Sequence, residues 1–213
     1  MSVAASASAA AADAQPDPAD SVGVDVPRPS AWWVLIAGVV GLASALALTI
    51  EKIEMLANPA YVPSCSFNPV LSCGSVMRTA QASAFGFPNP LIGIVAFTVV
   101  VVSGVLAIGR VRLPRWYWLG LAGGTALGVV FIHWLIYQSL YRIGALCPYC
   151  MAVWAVAIPL FVVVSSIAAQ PLIESNAVAR VLHQWRWSLV TLWFVGLILL
   201  ILVQFWAYWS TLI

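Results

Sequence analysis

The chain has 213 residues, 63% of them hydrophobic and 8% charged, with a mean hydropathy of +1.00. Soluble globular domains carry roughly 25% charged residues, so this composition excludes an ordinary water-soluble fold and describes an integral membrane protein. The formal net charge is only +2, with no basic patch interleaved with aromatics, which leaves nucleic-acid binding without support.

Residues 1–30 are rich in Ala, Asp, Pro and Ser, set Asp13, Asp17, Asp20 and Asp25 against Arg28, and lack apolar periodicity. They read as a disordered tail. No basic start followed by an apolar core precedes residue 31, so a cleaved signal peptide is not expected and the first hydrophobic segment is retained. A helix needs about 20 apolar residues to cross roughly 30 Å of hydrocarbon. On that basis spans are predicted at 31–50, 90–109, 116–141, 147–168 and 187–210. Arg28 and Glu51-Lys52 bracket the first, Pro88-Asn89-Pro90 opens the second, and Arg110 and Arg115 separate the second from the third.

Between the first two spans, residues 51–89 form a polar loop too small to build its own core. Asn68-Pro69 signals a turn there. Val70, Leu71, Val76, Met77 and Ala80 recur near helical spacing and predict a short amphipathic helix at the membrane surface, carrying Cys73. In the third span Gly120, Gly124 and Gly128 recur every four residues, the pattern that lets a neighbouring helix approach closely. Its His133 and Tyr137 share a face, and an interhelical hydrogen bond is the commoner role for such a histidine. Pro159 predicts a kink in the fourth span, residues 169–186 a loop, and residues 187–213 a fifth transmembrane helix.

Cytoplasmic loops are enriched in Lys and Arg. Arg28, Arg110, Arg112, Arg115, Arg180 and Arg186 fall on one side of the predicted bundle, and Lys52, Arg78 and Arg142 on the other. The bias places the tail and the 169–186 loop in the cytoplasm and the 51–89 loop outside, in a multi-pass protein of the cell membrane. Two crossings separate the 51–89 loop from the segment before Cys147, so all four cysteines share one face whichever way the chain is inserted.

Those cysteines form two pairs. Cys147-Pro148-Tyr149-Cys150 stands where a polar loop becomes an apolar helix. A thiol at a helix start gains from the positive end of the helix dipole, which favours the thiolate that carries disulfide exchange, and Pro148 suits the first helical position. Cys65 and Cys73, with seven residues between them, lie in the 51–89 loop. Alone, that pair reads equally well as a structural disulfide. Four cysteines also allow a zinc site, against which stand the spacing of the loop pair and the lack of a nearby histidine. Together, two dithiols on one face favour exchange: Cys73 on a mobile loop reaches Cys147, and Cys150, one turn deeper, is placed for a lipid-soluble acceptor. A non-catalytic scaffold with structural disulfides or a four-cysteine metal site is the alternative.

Cys65-x7-Cys73, Thr79, Phe85-Gly86, Asn89 with Gly93, and Cys147-Pro148-Tyr149-Cys150 together resemble the vitamin K epoxide reductase family, in particular its stand-alone bacterial homologues, over about residues 30–166. The resemblance implies a four-helix bundle around a quinone, with a fifth transmembrane helix outside it and a loop helix over its extracytoplasmic face. It further implies that Cys65 forms a mixed disulfide with a partner, that Cys73 attacks Cys147, and that Cys150 lies beside the quinone. Asn89, which by itself reads as a helix cap, matches the family's polar contact to a quinone oxygen. Thr79 matches a hydroxyl residue near both pairs, and Phe85 and His133 are possible supporting residues. Trp154 stands where the family often has Tyr, and it can donate only through its indole N–H.

The implied activity is that of a membrane thiol-disulfide oxidoreductase supporting disulfide bond formation. It reoxidises a separate, secreted, thioredoxin-fold (DsbA-like) thiol oxidase and passes two electrons to a membrane quinone of the menaquinone, ubiquinone or vitamin K type. A strongly oxidising partner sits near about −120 mV, so its reoxidation requires an acceptor of higher potential.

Overall fold

The computed structural model describes residues 23–211. Most of the expected tail, residues 1–22, lies outside them. The described chain is helical: α1 (Arg28–Ala57), α2 (Cys73–Met77), α3 (Pro90–Ile108), α4 (Arg115–Gln138), α5 (Pro148–Ala168), α6 (Gln170–Ser175), α7 (Ala177–Gln204) and α8 (Trp206–Trp209). A 3-10 turn spans Ala80–Ser83, and a π turn at Ser139–Ile143 continues α4. Among the described residues five helices are long and apolar enough to cross a membrane: α1, α3, α4 with its π turn, α5 and α7.

Prolines mark the starts. Pro29, Pro90 and Pro148 occupy the first or second position of α1, α3 and α5, and Pro114 precedes α4; the first helical N–H groups have no intrahelical acceptor, so proline loses little there. Asn176 starts α7 differently, its Oδ1 accepting from Val178 N at 2.8 Å.

The helix ends differ from the expected span edges in a consistent way. α1 runs to Ala57 rather than residue 50, a length of about 45 Å, because Glu51-Lys52-Ile53-Glu54 are good helix formers. Charge marks where hydrocarbon ends, not where the helix ends. For the same reason the expected 169–186 loop is largely helical, with α7 starting at Ala177, well before the predicted span at 187. The tail expected through residue 30 is already paired at Val24, whose N–H donates to Leu113 O at 2.9 Å, and α1 begins at Arg28. The loop helix is shorter than predicted: only Cys73–Met77 is α-helical, while Val70 lies in a bend and Leu71 in a bridge.

In the bundle α1 packs against α3 and α5, and α4 packs against α5. The closest approach is between α1 and α3, where a Cβ added to Gly104 would lie 2.7 Å from the Leu35 backbone and one added to Gly41 would fall on the Phe97 ring. Gly120, Gly124 and Gly128 behave otherwise. No atom lies within 4 Å of a Cβ built on any of them, so the packing role expected for this stripe is not the one it has; it faces the space between α3 and α4. At one end of that space Ser103 Oγ and Tyr117 Oη are hydrogen bonded at 2.7 Å. α7 lies against the outside of the bundle. Trp193, Leu197 and Ile201, with Phe205 just after the helix, pack against a cluster that includes Ile132, Ile136 and Trp154.

Candidate redox site

The site is assembled by backbone hydrogen bonds between two segments that are distant in the chain. Asn68 reverses the loop by accepting with Oδ1 from Val70 N at 3.0 Å and Leu71 N at 2.7 Å. Ser66 and Ser72 then form an antiparallel bridge. Leu71 pairs in parallel with Leu146, through Ser72 N to Leu146 O at 2.9 Å and Leu146 N to Val70 O at 2.7 Å. Cys73 and Cys147 each follow one of these bridged segments and are thereby carried together.

The sulfurs meet where the backbone puts them. Cys65 and Cys73 form a disulfide with their Cα atoms 5.6 Å apart, which leaves Cys147 and Cys150 as thiols. Cys73 Sγ lies 3.2 Å from Cys147 Sγ. Cys147 is the N-cap of α5, its Sγ accepting from Cys150 N at 3.5 Å. Cys65, Cys73 and Cys147 are buried with Leu48 and Met77, and Met55, Tyr149 and Cys150 close the cluster.

The far end of α1 anchors the loop that carries the first pair. Glu51, 8% exposed, accepts from Tyr61 Oη at 3.0 Å, Ser64 N at 3.3 Å and Ser64 Oγ. Its bond to Tyr61 raises that phenol above its ordinary pKa, so the hydroxyl stays a donor. The neighbouring Lys52 Nζ donates to Met77 O at 2.7 Å, at the end of α2. Sequence reasoning missed both residues as site residues, reading them only as the edge of a span.

Below the thiols a cavity of about 590 Å³ runs between α1, α3, α4 and α5, from Cys150 to Trp116 and Tyr117. Its lining is almost wholly apolar, and among the described residues Lys52 is its one charged member. Asn89 and Trp154 line it as well. Asn89 does not cap α3; its Nδ2 donates to Gln81 O at 2.7 Å and its Oδ1 accepts from Ala84 N at 3.0 Å, bracing the 3-10 turn and leaving one N–H uncommitted. Trp154 is one turn beyond Cys150 and buried.

The other expected residues stand apart. Thr79 Oγ1 donates to Val76 O at 2.7 Å, closing the end of α2. Phe85 is exposed and touches the cavity only through Phe131, their rings 5.4 Å apart. His133 points away from the cavity: its Nδ1 is bonded to Val129 O at 2.8 Å and its Nε2 accepts from Trp193 Nε1 at 2.9 Å, so it fastens α7 to α4.

The sequence model of the vitamin K epoxide reductase family matches residues 32–165, a stretch holding both cysteine pairs and every residue that lines the cavity. The chain belongs to that family. Among curated proteins none matches it. A vitamin K epoxide reductase-type fold with five helices suited to the membrane is therefore the architecture here, and α7 lies beyond the matched region. The family is one of oxidoreductases that use quinones, which makes this chain a membrane oxidoreductase. Small-molecule sites are mostly apolar clefts of about 300–1,000 Å³ with a few polar groups. A cavity of about 590 Å³ whose polar members include Asn89, Lys52 and Cys150 fits a quinone ring and part of its tail.

Proposed function

We propose that the chain is a thiol-disulfide oxidoreductase that reoxidises a secreted thioredoxin-fold partner through two cysteine pairs and delivers the electrons to a membrane quinone. The observation that carries this reading is the 3.2 Å contact between Cys73 and Cys147, with Cys150 on the wall of an apolar cavity. The Lys and Arg distribution supports an extracytoplasmic face for the thiols, where disulfides persist.

The arrangement found is one stage of a cycle, with the loop pair oxidised and the membrane pair reduced. A thiolate of the reduced partner attacks Cys65, forming a mixed disulfide and freeing Cys73. The partner's second thiol closes the partner's own disulfide and releases Cys65. Oxidation of Cys147 and Cys150 to a disulfide gives up two electrons and two protons, which a quinone beside Cys150 accepts. Cys73 then attacks Cys147, freeing Cys150, and Cys65 attacks Cys73, restoring the loop disulfide and releasing Cys147. Each turn oxidises one partner dithiol and returns the four cysteines to their starting state. Asn89, through its uncommitted N–H, and Trp154 would hold the quinone ring near Cys150, and the apolar lining would keep water from it.

Trapping tests the order of events. A reduced DsbA-like partner whose second cysteine is replaced attacks the Cys65–Cys73 disulfide of the native chain. The mixed disulfide with Cys65, which no partner thiol resolves, accumulates as a band that reductant removes on a non-reducing gel. With Cys73→Ala there is no loop disulfide to attack, the band does not form and quinol production stops. With Cys150→Ala, quinol production by purified protein and reduced partner stops. Quinol formation surviving either substitution overturns the relay.

A further inference from the structure

Lys52 is the single charged residue on the cavity wall among the described residues. It lies one turn beyond Leu48, which packs directly in the thiol cluster, so the charge stands at the cysteine end of the cavity and not at the far end near Tyr117. A lysine ammonium carries three N–H donors. One is spent on Met77 O at 2.7 Å, and that bond fixes the head group over the cavity mouth. Two donors remain. In an apolar, water-poor space an ammonium interacts strongly with any developing negative charge, and reduction of a quinone builds negative charge on its ring oxygens.

We propose that Lys52 is a quinone-binding residue, donating a hydrogen bond to a ring oxygen at the Cys150 end of the cavity. The inference rests on the quinone reading above and adds to it a cationic contact that Asn89 and Trp154, both neutral, do not supply. The bond to Met77 gives the same lysine a hold on α2, so the loop that presents Cys73 and the ring that faces Cys150 share one positioning group.

The test uses full-length protein in nanodiscs with menadione and decylubiquinone as probes, binding being read from quenching of tryptophan fluorescence, since Trp116 and Trp154 line the cavity. Lys52→Gln is expected to weaken binding of both probes about tenfold. Lys52→Arg, which keeps the charge and the donors, is expected to stay within about threefold of the native affinity. Hydrogen exchange of residues 73–77 is followed in parallel. Native affinity in Lys52→Gln overturns the inference. So does lost affinity in Lys52→Gln that tracks a loosened 73–77 segment and recurs equally in Lys52→Arg, because the lysine then acts on the loop alone. If the unsubstituted protein binds neither probe and reduces neither with dithiothreitol as donor, it is the quinone reading itself that fails.

Discussion

Cys147 shows how much one atom can be asked to do. Its Sγ accepts from Cys150 N at the start of α5 and also lies 3.2 Å from Cys73 Sγ, so the geometry that caps the helix presents the sulfur to the loop pair. Glu51 works on the other arm of the loop. The Cys65–Cys73 bond opens during the proposed cycle, and Cys73 stays held through Leu71 and Leu146, while Cys65 depends on its own neighbours. Ser64, immediately before it, is fixed by Glu51. Glu51→Ala removes the acceptor of the Ser64 N–H and of the Tyr61 hydroxyl, and with it the side-chain hold on the chain just before Cys65. The expected result is faster hydrogen exchange over residues 61–66, more marked in reduced than in oxidised protein, with the spanning helices unaffected. Equal protection in both redox states of the variant refutes this role. The four cysteines were legible as residues because spacing and a helix start are local signals. Glu51 and Lys52 were not, since their partners lie 13 and 25 positions away and a charge at the end of an apolar run looks the same whether it meets water or anchors a loop.

At the scale of elements, two sets of glycines on smooth helix faces have opposite roles. Gly104 lies where α1 and α3 touch, and Gly124 lies where α4 faces open space. A side chain at Gly104 meets the Leu35 backbone, which cannot rotate away, so Gly104→Leu is expected to lower the thermal unfolding temperature of the purified protein sharply. Gly124→Leu is expected to leave that temperature nearly unchanged, since the side chain enters the cavity, while abolishing menadione binding. Native menadione affinity in Gly124→Leu removes this stretch of the cavity from the binding site. Small-residue periodicity reveals a smooth helix face; it contains nothing about whether another helix comes to lie on it. The spans themselves were legible from hydropathy. The helical turns beyond them at 51–57 and 177–186 were not, because hydropathy reports the solvent and helix propensity reports the backbone.

The whole molecule is polarised along the membrane normal. The loop with both flanks of the Cys65–Cys73 bond, the start of α5 and the mouth of the cavity share one end. Arg110, Arg112 and Arg115 lie at the other, between α3 and α4, joined there by the Val24 bridge to Leu113. The first turns of α7 add Arg180 and Arg186, the latter with its guanidinium 5.8 Å from the Trp187 ring, and Trp187 in turn lies 5.8 Å from Trp33 at the start of α1. Tryptophans mark either membrane interface, and the excess of Arg at this end favours the cytoplasmic one. The proposed function requires the thiols to face outward, where a secreted partner would meet them. Single cysteines in a cysteine-free background test the assignment with a membrane-impermeant maleimide. Val62→Cys, 70% exposed in the native side chain, is expected to label in intact cells. Arg112→Cys is expected to label only after permeabilisation. The reverse pattern places the dithiols against a reducing cytosol, where a strongly oxidising partner has no use for them, and with that the direction of electron flow proposed for this chain falls.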